Sequence, residues 1–465
     1  MDKIRLGFVP CHRYPYDEDW AVEMRQRCLK ALRGLEDIDV VVPSPGLVHN
    51  GLARDDAGAQ ATIDLFAQRN VQGVLLGTMT YGDEVAAVTI AEALNVPVAV
   101  FGTQEGPFTE EGNRRSDSFC GTLGITSGLY RHKIPYLFLG VIAPEDEEFI
   151  QSVGTFARAC AIYSGFIGAR VGLLGQRSER SEAGLVNEAA LQKRFRQRVI
   201  PVELAQVLTE AAQIADDDHR VVAAVRGMGK EANCSACDDA ALAKMARLEL
   251  TLKKLFEERG LVALTASCTN DAQGRYGVAF CYTLSRLTAE GLLAGCEADV
   301  YGALTMLVQY LAAFKSSVPQ HIDWAIQHQE LRNVFLAWNC GNAPACLAAD
   351  SKTVMVREQA SMAALAGADK AQGAVEFQVT PGVVTLCRLV EFDGQFKMLI
   401  ATGEIVPGED ALRGAWAWVK VPDLEQLYRV LAEQGFPQHA SMIHGDVADA
   451  VQDFCRFAGI EVVRA

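Results

Sequence analysis

Strand-like and helix-like hydrophobic patterns alternate through the first third of the chain. Apolar runs at residues 4–10, 40–43, 74–76 and 98–101 have the length and the Val, Ile and Leu content of buried strands. Between them, residues 20–35, 59–69 and 85–94 read as helices. Strands separated by helices predict a parallel sheet covered on both faces. The segments 77–84 (GTMTYGDE) and 102–106 (GTQEG) then follow strand ends, where open parallel sheets bind ligands.

The alternation restarts near residue 170. Strands are predicted at 170–175, 200–204, 221–225 and 261–266, and helices at 187–196, 238–259, 282–290 and 298–314. After about residue 352 the pattern changes. Short strands at 374–379, 383–391, 396–403 and 415–421, with turn chemistry at 380–382 and at Asp393-Gly394, predict an antiparallel sheet or small barrel, followed by helices at 424–434 and 447–457. The predicted class is α/β. Two doubly wound parallel α/β domains (1–169 and 170–352) precede a β-rich, antiparallel barrel-like C-terminal domain (353–465).

Composition narrows the class of protein. Of 465 residues, 50% are apolar and 22% charged, enough for several cores and unlike a disordered or collagenous chain. Asp and Glu number 58 against 43 Lys and Arg, so the net charge is −15 and the chain repels phosphate backbones. Its densest basic run, 192–198 (QKRFRQR), reads as the solvated face of a helix, so nucleic acid is not expected as a partner. The amino terminus, MDKIRLGFVP, lacks the apolar core of a signal peptide. The best membrane candidate, 303–314, is too short and holds Gln309, so no membrane partner is expected. An odd 13 cysteines suit a reducing compartment rather than a disulfide framework, and the expected localisation is cytoplasmic.

Four segments could carry chemistry. In 294–307 (AGCEADVYGALTML), Glu297 stands between an apolar approach and a helix, where a carboxylate either complements the helix dipole or ligates a metal and moves a proton. Asp299 is the natural N-cap, which leaves Glu297 without a structural duty. In 319–324 (PQHIDW), Asp323 is flanked by Ile322 and Trp324, and either pairs with Arg332, caps a turn or serves a site. Residues 334–344 (VFLAWNCGNAP) run from an apolar strand into polar groups. Residues 435–446 (GFPQHASMIHGD) place His439 and His444 between two short helices. One histidine joined to two carboxylates would suit a hard divalent ion such as Mn2+ or Mg2+ better than structural zinc. Cys234-Ser-Ala-Cys237 lacks a second half-site, and Gly227-Met-Gly229-Lys230 lacks the full phosphate-loop spacing.

The run 281–307 (CYTLSRLTAEGLLAGCEADVYGALTML) resembles the L-fucose isomerase and L-arabinose isomerase superfamily, supported by 170–175 with Asn187-Glu188, by 337–344, and by 414–420 followed by 435–446. The likeness extends over essentially the whole chain. It implies two α/β domains, a β-rich C-terminal domain, and interconversion of aldoses and ketoses with Mn2+ or another divalent ion such as Mg2+ or Co2+. Residue by residue, it implies that Glu297 binds the metal and exchanges the substrate proton, that Asp323 is the second metal carboxylate, and that His439 is the metal histidine from the C-terminal domain. Many relatives have histidine where this chain has Asn339, within Trp338-Asn339-Cys340-Gly341, and a paired His-His where it has Gln438-His439. A three-ligand site survives both changes.

The implied reaction is an enediol isomerisation with Glu297 and Asp323 as acid and base, a hydride shift being the alternative. The likeness further implies a homo-oligomer, a trimer or hexamer, with sugar contacts at Arg13, Trp20, Tyr81, Asp83, Trp338 and Asn339. L-fucose, L-arabinose, another pentose or 6-deoxyhexose, and a C6-modified hexose such as sulfoquinovose all fit. The rival reading is a non-catalytic sugar-binding protein on the same scaffold. A nucleotide-dependent oxidoreductase lacks its G-x-G-x-x-G after the first strand.

Overall fold

The computed structural model describes residues 3–182, 184–268, 270–408 and 410–465. It forms two units, residues 1–164 with 452–459, and residues 165–451 with 460–465.

The first unit is built on five parallel strands: β1 (Ile4–Cys11), β2 (Ile38–Val41), β3 (Gly73–Thr78), β4 (Val98–Thr103) and β5 (Tyr136–Ile142), in the order β2-β1-β3-β4-β5. β3 and β4 are buried along their whole length, as strands covered on both faces must be. The intervening helices start where the sequence supplies an acidic cap. Asp17, Asp55 and Asp83 each accept a backbone N–H three residues on.

The second unit opens with a short parallel sheet, β6 (Arg170–Leu174), β7 (Arg198–Val202), β8 (Ala263–Ala266) and β9 (Leu293–Cys296), in the order β7-β6-β8-β9. Nine further strands follow: β10 (Gln320–Gln327), β11 (Val334–Asn339), β12 (Met355–Glu358), β13 (Gln372–Gln378), β14 (Gly382–Phe392), β15 (Gln395–Val406), β16 (Ala415–Lys420), β17 (His439–His444) and β18 (Glu461–Arg464). Six of them close a barrel, β16-β11-β10-β17-β14-β15 and back to β16, with every neighbouring pair antiparallel. The β14–β15 hairpin turns at Asp393-Gly394, both at positive φ, as the sequence predicted. Two parallel α/β sheets followed by an antiparallel barrel is the predicted fold class.

Some local expectations fail. Residues 221–225, expected as a strand, lie in the helix His219–Glu231, which Asp218 caps. A five-residue apolar run has no period of its own, and here Val221 and Met228, two turns apart, are its buried face. Gly227–Lys230 is part of the same helix, so it forms no phosphate loop. The thiols of Cys234 and Cys237 donate to the carbonyls of Ala232 and Val356, and burial pushes Cys237 up to about 12. His439 opens a strand rather than lying between helices, and β10 and β11, drawn from residues 170–352, belong to the barrel. Strand pairing is non-local, so no window of sequence shows it.

The helix Val300–Ala312 joins the two parts of the second unit. Twelve of its thirteen residues are buried, because it packs on β8 and β9 with one side and on β14 and β17 with another. This explains the apolar run at 303–314. Its interior Gln309 donates to the Thr385 and Ser441 carbonyls and accepts from the Ser441 hydroxyl, so one amide holds the helix to β14 and β17. Among the described residues, no helix is long and apolar enough to cross a membrane. Gln309→Ala should cost about 2–4 kcal/mol, through a cavity and unpaired polar groups. Urea unfolding followed by tryptophan fluorescence checks it, since four of the five tryptophans lie in barrel strands.

Candidate metal and active site

β9 ends at Cys296, and Glu297 and Ala298 follow at φ 61° and 58°. Two successive left-handed residues, neither glycine nor asparagine, are strained, and such strain persists where surrounding structure enforces it. Here the turn delivers Asp299 to the start of the helix Val300–Ala312, where its side chain accepts from Gly302 N at 2.8 Å. Asp299 is therefore the cap that the sequence suggested, but it does more. Arg388, from the middle of β14, pairs with both of its oxygens, and each side chain is only 1% exposed. The second oxygen also lies 3.1 Å from His439 Nδ1.

The barrel supplies the opposite wall. Asp323 on β10 stands in register with His439 on β17 and with Trp338 on β11. His439 Nε2 lies 3.2 Å from Glu297 Oε2 and 3.5 Å from Asp323 Oδ1. Three segments far apart in the chain thus converge on one imidazole, and Asp323 faces His439 rather than Arg332. Gln438, the residue in place of the relatives' first histidine, puts its amide nitrogen 3.3 Å from the same Nε2.

Charge balance defines what the cluster wants. Burial alone would push Asp299 up, but the Arg388 guanidinium and the bond to His439 hold it well below the carboxylate range. That pair is neutral overall. Glu297 is lowered by its bond to His439 against the effect of burial. Burial raises Asp323 to about 6, and the Glu297 charge adds to this while His439 opposes it. For His439, burial favours the neutral form, yet its bonds to Asp299 and Glu297 prevail and raise it to about 9. Among the described residues, it is the proton on His439 that answers Glu297 and Asp323. A divalent cation would serve better, and two carboxylate oxygens with one imidazole nitrogen form a hard-ion donor set. Separations of 3.2 and 3.5 Å are close to the edge of about 3 Å expected for an octahedron with 2.0–2.1 Å bonds.

His321 completes the inner wall. It lies two residues before Asp323 on β10, and its ring meets that of His439 edge-on at 4.5 Å. Neither ring nitrogen has a hydrogen-bond partner among the described residues, and burial drives its pKa down to about 3, so the imidazole is neutral. Ligand atoms of Asp299, His321 and His439 lie within 4.8 Å of one another, so this group too could hold a divalent ion. Asp299 is already committed to Arg388 and the helix cap, which makes it the carboxylate that orients His439 by Nδ1 and turns Nε2 toward Glu297 and Asp323. Gly302 permits this packing, since a Cβ there would stand 2.6 Å from an Asp299 oxygen and 3.1 Å from the His321 ring.

Glu297, Asp323, His439, His321, Trp338 and Asn339 line one cavity of about 250 Å³. Trp338 is held by its N–H bond to the Arg413 carbonyl at 2.7 Å. The Asn339 oxygen accepts from Gly341 and Asn342, and its amide reaches Cys296 Sγ at 3.9 Å. Arg13, Trp20, Tyr81 and Asp83 fall in the first unit. There the Arg13 guanidinium lies over the Tyr81 ring, Tyr81 stacks on Tyr16, and Asp83 caps the helix Glu84–Leu94. His444 is bonded to the Thr380 carbonyl at the far end of β17. Sequence reasoning passed over His321 and Arg388. Both left a signal: His321 shares a strand face with Asp323, and Arg388 is a charge inside an apolar strand.

Comparison with known proteins agrees with this architecture. Residues 7–167 match the family of fucose/sulfoquinovose isomerase N-terminal domains, and residues 337–465 match the L-fucose isomerase C-terminal domain family, together more than half of the chain. A sulfoquinovose isomerase of Priestia megaterium is 22% identical over 467 residues, covering 99% of both chains. One from Alkalicoccus urumqiensis is 23% identical over 393 residues, covering 84% of this chain and 85% of its own. A D-allose-bound periplasmic solute binding protein of Actinobacillus succinogenes aligns over 67% of this chain and 92% of its own at 10% identity, but its TM-score of 0.17 carries no structural argument. The fold and these matches are those of a sugar isomerase of the aldose–ketose type. The chain belongs to the fucose/sulfoquinovose isomerase family, as a fucose isomerase-like protein.

Replacing Asp299 by Asn keeps its shape but removes the charge that answers Arg388 and His439. Mn2+ affinity, measured by isothermal titration calorimetry, should fall about 10- to 100-fold, and the thermal midpoint should drop.

Proposed function

We propose that this protein is a divalent-metal-dependent aldose–ketose isomerase acting on a single monosaccharide through an enediol, with Glu297, Asp323 and His439 as the metal ligands. The observation that carries the reading is one imidazole nitrogen facing two carboxylates in a cavity of about 250 Å³, room for one sugar ring. A bound Mn2+, Mg2+ or Co2+ would polarise the sugar carbonyl and stabilise negative charge on the neighbouring oxygens.

The chain's own groups move the protons. Glu297 takes the proton from the carbon beside the carbonyl and returns it to the adjacent carbon, and Asp323 passes a proton between the two sugar oxygens. His439, held by Asp299, keeps the two carboxylates in place. Trp338 offers a flat apolar face to the ring, and Asn339 offers an amide. Arg13, Trp20, Tyr81 and Asp83 are assigned as further sugar contacts. A cytoplasmic homo-oligomer, trimer or hexamer, accompanies this reading. Phe119, Leu123 and Tyr130 support the oligomer, being exposed on one face of the helix Ser118–Arg131.

Among candidate sugars, the names of the relatives favour a C6-sulfonated hexose, sulfoquinovose, ahead of 6-deoxyhexoses and pentoses. A panel of aldoses with added Mn2+, scored for ketose formation, tests the substrate, and no turnover of any member would overturn the reading. Dialysis against a chelator should abolish activity and Mn2+ should restore it; activity indifferent to the chelator would remove the metal. Glu297→Gln should lower kcat at least about 1,000-fold while the far-ultraviolet dichroism stays that of the parent.

A further inference from the structure

Four of the 13 cysteines, Cys268, Cys281, Cys296 and Cys340, line the substrate cavity, and the isomerisation uses none of them. They are paired. The Cys281 thiol hydrogen-bonds Cys340, and Cys296 hydrogen-bonds Cys268. The first pair is asymmetric. Cys281 is the first residue of the helix Cys281–Ala289, buried in a small cluster with Ala279, Met362 and Ala374, against which Cys340 packs. Cys340 follows β11, is half-buried, and is hydrogen-bonded by both Cys281 and the Gln359 side chain. Those bonds pull Cys340 below the usual thiol range, against burial and the Asp323 and Glu297 charges, and its half-buried sulfur is the more accessible of the pair. The bond to Cys340 and burial push Cys281 well up, so it remains protonated. A thiolate-prone sulfur at a cavity wall beside a protonated thiol is the arrangement in which a peroxide is captured and then resolved.

We infer that Cys340 and Cys281 form a peroxide-sensitive dithiol whose closure to a disulfide, within the cavity assigned above as the active site, turns the enzyme off. Hydroperoxide is the oxidant. The Cys340 thiolate attacks the peroxide, the O–O bond breaks, and Cys340 sulfenic acid and hydroxide form, the hydroxide taking a proton to become water. Cys281 sulfur then attacks the sulfenic sulfur and displaces its oxygen, which leaves as a second water with the Cys281 proton. Two thiols and one hydroperoxide become one disulfide and two waters when the peroxide is hydrogen peroxide, with two electrons passing from sulfur to oxygen.

The test treats the Mn2+-loaded full chain with hydrogen peroxide, blocks remaining thiols, and maps the peptides by mass spectrometry while aldose turnover is followed. A Cys281–Cys340 link, with activity falling at least tenfold and returning with dithiothreitol, is expected. In Cys281→Ser the sulfenic acid lacks its partner, so Cys340 should advance to sulfinic acid and the loss should resist dithiothreitol. In Cys340→Ser, inactivation relative to that variant's own starting rate should slow at least tenfold. An unmodified Cys340 in inactivated enzyme, a link only between Cys268 and Cys296, or a Cys281–Cys340 link with activity retained would each overturn the inference. Because the link is read by mass, a chain that forms it yet isomerises no aldose would refute the isomerase reading while leaving the dithiol in place.

Discussion

The buried carboxylate of Asp299 answers to Arg388, to the N–H of Gly302 and to the ring of His439. An ionised carboxylate at 1% exposure is costly to bury, and here an equally buried guanidinium offsets that cost. Removing either partner would leave a lone charge in the core, a loss of about 3–5 kcal/mol. The consequence for the site is geometric. Asp299 is two residues from Glu297 within one strained turn, so anchoring the first aims the second. Through His439 it also ties β9 of the parallel sheet to β17 of the barrel.

That anchoring explains why the site sits where sheet meets barrel. The helix Val300–Ala312 is apolar nearly all round because it has a β layer on each side, and Gln309 makes the polar bonds that fix it to β14 and β17. Glu297 then arrives from the parallel sheet, and Asp323 and His439 from neighbouring barrel strands. The resulting cluster has two carboxylates and one imidazole beyond the neutral Asp299–Arg388 pair. A proton on His439 satisfies part of that charge, and a divalent cation satisfies it fully.

The alternating strands and helices of the first unit, the hairpin at Asp393-Gly394 and the cap at Asp299 were all legible, because period, turn chemistry and capping act within a few residues. Glu297, Asp323 and His439 could be singled out because a carboxylate beside Trp324 or after an apolar strand is out of place locally, and the family likeness then ordered them. Arg388 was equally out of place inside β14, but nothing near it in the chain says which anion it meets. His321 stands two residues before Asp323, but that spacing gains meaning only once β10 forms and puts both on one face. The helix at 219–231 was misread because a short apolar run fits either period until its neighbours choose.

By itself the sequence determined the class of fold, the acidic character, and the residue types from which a hard-metal site could be made, all of which depend on composition or on contacts within a few residues. Tertiary structure alone decided that Asp323 stands opposite His439, that Arg388 neutralises Asp299, and that Cys340 lies against Cys281. These are pairings across 59 to 116 residues of chain, and their energies come from burial and register, which exist only once the sheets have closed.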